Sequence, residues 1–127
     1  MEVALIAHDG KKAEMVSFVL QNKPLFARAT LFATGTTGSH LEDAGFTVHR
    51  FLSGPVGGDA QIASKVATHE MDVVIFFRDP MGKHPHEPDA QMLMRLCDVH
   101  NVPLATNPAA ARLLMRGLQS QTEHGGS

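Results

Sequence analysis

One cysteine, Cys97, is all that this 127-residue sequence carries, so no disulfide can close within it. The start does not read as a secretory leader either. Met1 runs straight into Glu2 and a short apolar stretch, without the basic lead, longer apolar segment and cleavage site of a signal peptide. Both observations point to a reducing, cytoplasmic setting. Long hydrophobic runs are missing as well: the longest, such as residues 71–77, fall far short of the roughly 20 apolar residues that span a bilayer, which sets membranes aside. No unit of roughly 20 to 50 residues recurs, which excludes solenoids. Charge of one sign is also scarce, with a formal net charge of -2, a pI near 6.4, and Lys and Arg scattered instead of striped. Nucleic acid is therefore not the expected partner, and any bound anion must be held by local geometry. Absent too are a Gly-x-Ser-x-Gly elbow, a lysine following glycines as in a P-loop, and a helical His-Glu-x-x-His.

What remains is a chain that is 43% hydrophobic, enough for one good core and short for two. Its apolar residues come in two patterns. Continuous runs stand at residues 3–7 (VALIA), 31–33, 48–52, 73–77 and 102–105. Unbroken apolarity over so few residues predicts strands buried on both faces, as in a parallel sheet. Between the runs the spacing is helical: Met15, Val16, Val19 and Leu20; Ile62, Val66 and Ala67; Met92, Leu93, Leu96, Cys97 and Val99; then Ala110, Leu113, Leu114 and Leu118. Asp89 is a candidate cap for the third of these helices. Asn107 with Pro108 behind it is a favourable start for the fourth, since the proline's missing N–H costs nothing in a first turn. The alternation predicts an α/β fold: a single doubly wound open sheet of about five parallel strands with helices on both faces, spanning residues 1–118. Residues 119–127, polar throughout, read as a frayed tail. Cys97 is assigned to the core, and Met71, Met92, Met94 and Met115 to the core or to contacts between subunits.

The chemically loaded residues gather where strands end. His8 and Asp9 follow the first strand, TGTTG (34–38) the second, SGPVGGD (53–59) the third, and residues 78–89 the fourth. In an open α/β sheet such loops share the carboxyl edge, where ligands bind, so segments far apart in sequence are expected to converge. Thr34, Gly35, Thr36 and Thr37 combine a backbone that can approach closely with hydroxyl donors, a combination suited to phosphate. Ser53 and Gly54 repeat it, and Lys12 adds a positive charge near a helix start. Each also has a plainer reading, as a glycine turn, a helix cap or a surface lysine; together they favour an anion cradle. Asp59 follows a turn rich in Gly and Pro. It is either an N-cap or, beside a phosphate site, a carboxylate sheltered enough to act as a general base. Asp9 and Asp89 are secondary acids. His86, stiffened by Pro85 and Pro88, is either a surface histidine or a group that polarises a carbonyl and holds an enediolate. His8 is a hydrogen-bonding group for substrate or a buried histidine paired within the fold. His84 and His86 with their acidic neighbours make only a weak metal pattern, and no metal is expected.

AHDGKK (7–12), ATGTTG (33–38), LSGPVGGDAQI (52–62), Asp79-Pro80, PHEPD (85–89) and PLATN (103–107) occur in the order and spacing of the methylglyoxal synthases. The chain resembles that family as far as about Leu114. The resemblance implies a lyase that converts dihydroxyacetone phosphate into methylglyoxal and inorganic phosphate, in the methylglyoxal bypass of glycolysis, without metal or organic cofactor and usually as a homohexamer. By the same resemblance Asp59 abstracts the proton and His86 contacts the substrate oxygens. His8, Lys12, Thr34, Gly35, Thr36, Thr37, Ser53 and Gly54 bind substrate and its phosphate, while Asp9 and Asp89 match further acids of the site. Gly10 and Val56 stand where some members carry other side chains. Inorganic phosphate is the product and a candidate inhibitor. Some relatives, however, continue past the position of Arg116 with an arginine-bearing segment linked to phosphate signalling between subunits, and this chain stops soon after it, which argues against that regulation.

Two rival readings share parts of the pattern. A non-catalytic regulatory domain, resembling the effector-binding part of carbamoyl phosphate synthetases, needs the cradle but not the acids; Asp59, His86 and Asp89 together argue for the enzyme. A receiver-like phosphoacceptor would want an acidic pair after the first strand and a lysine after the fifth, where Thr106 and Asn107 stand.

Overall fold

The computed structural model describes residues 1–53, 56–81 and 88–125, the side chains of residues 88, 89 and 121–125 excepted. Five strands, β1 (Glu2–Ala7), β2 (Thr30–Thr34), β3 (Val48–Phe51), β4 (Val73–Phe77) and β5 (Leu104–Ala105), form one sheet in the order β3-β2-β1-β4-β5. Every pairing is parallel. At the centre Val3 stands opposite Val73 and Ala7 opposite Phe77. Val73, Val74, Ile75, Phe76 and Phe77 are all buried, because a run of β-branched and aromatic residues with no polar position suits a strand covered on both sides. The edge strand β3 departs from this, exposing His49 and Arg50.

Among the described residues six helices cover the sheet: α1 (Lys12–Gln21), the short α2 (Lys23–Phe26), α3 (Gly35–Asp43), α4 (Gly58–Ala67), α5 (Pro88–Val99) and α6 (Pro108–Gly125). Met15, Phe18 and Val19 of α1, Leu41 of α3, and Ala111 and Met115 of α6 pack with Val3, Leu5, Val73, Ile75 and Phe77 on one face. Ile62 and Val66 of α4, with Leu93 and Cys97 of α5, pack with Ala4, Ile6, Val74 and Phe76 on the other. Successive strand residues thus feed opposite cores, as a period of two demands. Among the described residues no helix is long and apolar enough to cross a membrane.

The α/β architecture is the one expected, with strand ends within a residue or two of their predicted positions. Three local expectations are corrected. Asp89 does not cap α5, because that helix begins at Pro88 and Asp89 falls inside its first turn. The tail does not fray at residue 119; α6 continues to Gly125, since extending an anchored helix adds one hydrogen bond for each residue fixed. Helix α3 was not among the segments with helical spacing, although a helix cap was one reading of its threonines. Its sequence, GTTGSHLED, is rich in poor helix formers and carries one large apolar residue, Leu41, whose burial with Thr37 and Gly38 overrides the weak propensity. Asn107 does cap α6, its Oδ1 accepting the Ala110 N–H at 2.9 Å.

The strand order sets the position of the site. From β1 the chain moves outward through β2 to β3, then returns to β4 on the opposite side of β1. The carboxyl ends of β1 and β4 therefore flank the crevice at which open α/β sheets bind ligands.

Candidate active site

At this crevice β1 delivers His8 and β4 delivers Asp79. The His8 N–H donates to the Phe77 carbonyl at 3.1 Å, adding a rung to the β1–β4 ladder. The Asp79 N–H donates to Nδ1 of His8 at 3.0 Å, and the His8 and Phe76 rings meet edge to face at 5.2 Å. An Nδ1 that accepts a hydrogen leaves Nε2 as the ring nitrogen that bears one. A turn of 3-10 helix, Asp9–Lys11, then leads into α1. Gly10 lies tight against Asp79: a Cβ there would stand 3.1 Å from Asp79 Oδ2. Lys12 Nζ and Asp9 Oδ1 are 2.6 Å apart, the lysine side chain 18% exposed and the aspartate 98%. The lysine is the sheltered member of the pair, and the acid faces solvent.

The loops after β2 and β3 supply the hydroxyls. β2 ends in the buried Thr34, and α3 begins at the next residue, so Gly35, Thr36 and Thr37 form its first turn. No side chain caps that turn, and the N–H groups and dipole of a helix N-terminus suit an anion. The Gly35 N–H donates to the Leu52 carbonyl at 3.3 Å. A Cβ on Gly35 would stand 2.8 Å from Ser53 Cα, so only glycine lets Ser53 lie against the start of α3. Thr36 and Ser53 are exposed. Thr37 is 1% exposed, and its Oγ1 is buried with no hydrogen-bond partner. Such a hydroxyl carries a desolvation cost of about 1–3 kcal/mol, which an anionic oxygen within reach would offset.

The start of α4 is fitted to the same place. The Leu52 N–H donates to Gln61 Oε1 at 2.8 Å, and the Ser53 carbonyl accepts the N–H of Val56 at 3.1 Å and of Gly58 at 2.9 Å. A Cβ on Gly58 would lie 2.8 Å from the Leu52 carbonyl carbon and 2.9 Å from Thr34 Cγ2. Gly57, at φ +115°, turns the chain into the helix and holds the cap position. Asp59 is therefore not an N-cap; it lies in the first turn, 4% exposed. Its Oδ1 is closed off from solvent without a hydrogen bond, while the residue keeps another contact in the fold. Burial of this kind suits a group whose task is to take a proton from carbon.

Thr34, Gly35, Ser53 and the Gly58–Asp59 turn thus interlock at the ends of β2 and β3, with Thr37 in the same helical turn as Gly35. His8, Asp9 and Lys12 occupy the end of β1. Gly54 and His86 lie outside the described residues, as does His84 with the metal reading, and Asp89 is located by its backbone alone. Two residues of the quoted motifs were given no role from the sequence. Asp79 had a signal in its position just past β4, whereas nothing in the sequence marks Gln61 as the partner of the Leu52 amide.

The family model described as MGS-like domain matches residues 14–106. A methylglyoxal synthase of Geobacillus thermodenitrificans is 59% identical over 120 residues, 94% of this chain and 83% of that one. The chain belongs to the methylglyoxal synthase family. A methylglyoxal synthase of Carboxydothermus hydrogenoformans is likewise 59% identical over 119 residues, 93% of this chain and 98% of its own. The crystal structure of methylglyoxal synthase from Elizabethkingia anophelis superimposes with a TM-score of 0.84 at 43% identity, covering 90% of this chain and 76% of that one. The parallel five-stranded sheet is therefore a methylglyoxal synthase architecture.

Proposed function

We infer that this chain is a carbon–oxygen lyase that converts dihydroxyacetone phosphate into methylglyoxal and inorganic phosphate. Family membership supports this, together with one structural observation. The buried Asp59 follows directly on Gly58, which packs against Thr34 where the α3 turn begins. A sheltered carboxylate thus stands one residue from an anion cradle.

In this mechanism the phosphate lies at the N-terminus of α3, held by first-turn N–H groups, by the hydroxyls of Thr34, Thr36, Thr37 and Ser53, by Gly35 and Gly54, and by the charge of Lys12. Asp59 removes a proton from the hydroxymethyl carbon beside the ketone, giving an enediolate. His8, through Nε2–H, and His86 donate to the oxygens on which negative charge develops. An isomerase would return the proton to the neighbouring carbon. Here the enediolate electrons instead form the aldehyde carbonyl and shift the double bond toward the carbon bearing phosphate. The C–O bond breaks, and phosphate leaves with the bonding pair. The enol left behind takes a proton on that terminal carbon and becomes methylglyoxal. Asp9 and Asp89 are the further acids available to share protons with Asp59. No metal or organic cofactor enters these steps.

The reaction belongs in the cytoplasm, with phosphate as product and candidate inhibitor. We also propose a homo-oligomer, a hexamer by resemblance; exposed Met92 and Val99 of α5 and Leu113 of α6 are apolar surface that contacts between copies would cover. The Asp59→Asn variant tests the assignment of the base. It should bind inorganic phosphate much as the parent does and turn over at least roughly 10²-fold more slowly. Full activity in that variant would move the base elsewhere.

A further inference from the structure

His8 is fixed from several sides. Its backbone is pinned by the rung to Phe77, its ring plane meets Phe76 at 82°, and its Nδ1 takes the Asp79 N–H. That amide is itself aimed. Asp79 Oδ1 accepts the Met81 N–H at 3.0 Å, closing a turn across Pro80, and the absence of a side chain at Gly10 leaves room for Asp79 Oδ2. A carboxylate beside Nδ1 would make that nitrogen a donor and Nε2 a base; an amide donor does the reverse. Placing a hydrogen on Nδ1 would set two donors face to face at 3.0 Å.

We propose that the backbone amide of Asp79 locks His8 in the neutral Nε2–H tautomer, so that His8 serves the reaction as a hydrogen donor and Asp79 is its positioning residue. This deepens the lyase reading and rests on it only for the identity of the oxygen that His8 serves. The consequence is a division of labour. Asp59 takes the proton from carbon, and His8 meets the developing oxyanion without competing for that proton. The carboxylate of Asp79 does not touch the reacting atoms in this scheme; it shapes the turn that presents its own amide.

Long-range ¹H–¹⁵N correlation spectra of the full chain labelled with ¹⁵N-histidine test the lock, with His8 assigned by the signals lost in His8→Gln. The expected pattern is a hydrogen on Nε2 and a bare Nδ1, both in the free protein and with inorganic phosphate. A hydrogen on Nδ1, or a mixture of tautomers, in the parent protein overturns the proposal, so the parent spectrum decides even if a variant fails to fold. Asp79→Ala, which releases the Met81 N–H, should move both His8 nitrogens toward the tautomer average. It should also lower kcat roughly tenfold, less than the ~10²–10³ of removing an oxyanion donor outright, with KM little changed. Asp79→Asn, which keeps an oxygen acceptor for the turn, should restore both readouts. Activity lost in Asp79→Ala while the His8 signals stay in place overturns the positioning role. The spectra need no substrate, so a parent protein that shows the lock yet makes no dicarbonyl would defeat the lyase reading alone.

Discussion

At Thr37 a hydroxyl is buried without a hydrogen-bond partner, so the fold itself gains nothing from it. Thr37→Val keeps the shape and removes the group. The unliganded variant should be as stable as the parent or more so, by up to about 1–3 kcal/mol, while its affinity for inorganic phosphate falls about tenfold or more. Thermal melts with and without phosphate measure both; a variant that loses stability and keeps its phosphate affinity would contradict the cradle. Cys97 offers a second residue-scale prediction. Burial, and secondarily the charge of Asp98, push its thiol up to about 11 from an unfolded value of 9.0. The folded state therefore holds this proton over a range in which the unfolded state has released it. The resulting stabilisation is complete below pH 9 and is lost as pH rises from about 9 through 11. Urea midpoints measured across that window should fall for the parent, and less steeply for Cys97→Ala. Much at this scale was legible in the sequence, because a carboxylate, a threonine hydroxyl and a lone thiol announce their chemistry by residue type. The Asp79 amide and the Leu52 amide held by Gln61 were not, since backbone donors have no letter of their own.

Among the elements, the start of α4 is the most constrained. A Cβ on Gly58 would run into the Leu52 carbonyl and the methyl of Thr34, and the carbonyl is backbone that cannot step aside without parting β3 from α4. Gly58→Ala should cost about 1–3 kcal/mol of stability and weaken phosphate binding together with it. Gly117, in the middle of α6 with nothing within 4 Å of its would-be Cβ, is the natural contrast. Gly117→Ala should raise stability by about 0.5–1 kcal/mol and leave phosphate affinity alone. Melting temperatures of the two variants, with phosphate titrations, decide both. The central strands were readable because β1 and β4 bury nearly every side chain and so leave no polar interruption. Helix α3 was not, because the glycines and threonines proposed to hold phosphate are those that make it a poor helix, and its support comes from packing that no local window contains. The misplaced cap at Asp89 has a similar origin: proline's preference for a first turn put the helix start at Pro88, two residues earlier than a capping aspartate would.

For the molecule as a whole, one topological rule went furthest. Loops that follow parallel strands emerge on a single edge, so the meeting of Gly35 with Ser53, of Gly58 with Thr34, and of His8 with Asp79 fits what the order of apolar runs leads one to expect. Which atoms meet there could not be read from that order. That Ser53 lies on Gly35, that Gly58 fits under Leu52, and that Asp79 reaches back to His8 depend on side-chain-free surfaces and backbone directions fixed only when the sheet closes. The central claim is that this assembled edge expels phosphate from dihydroxyacetone phosphate. Incubating purified protein with that substrate, and assaying inorganic phosphate alongside a diamine-trapped dicarbonyl, tests it most directly. The account predicts the two in equal amounts. Phosphate accompanied by dihydroxyacetone, an aldose phosphate without free phosphate, or no product at all would contradict it.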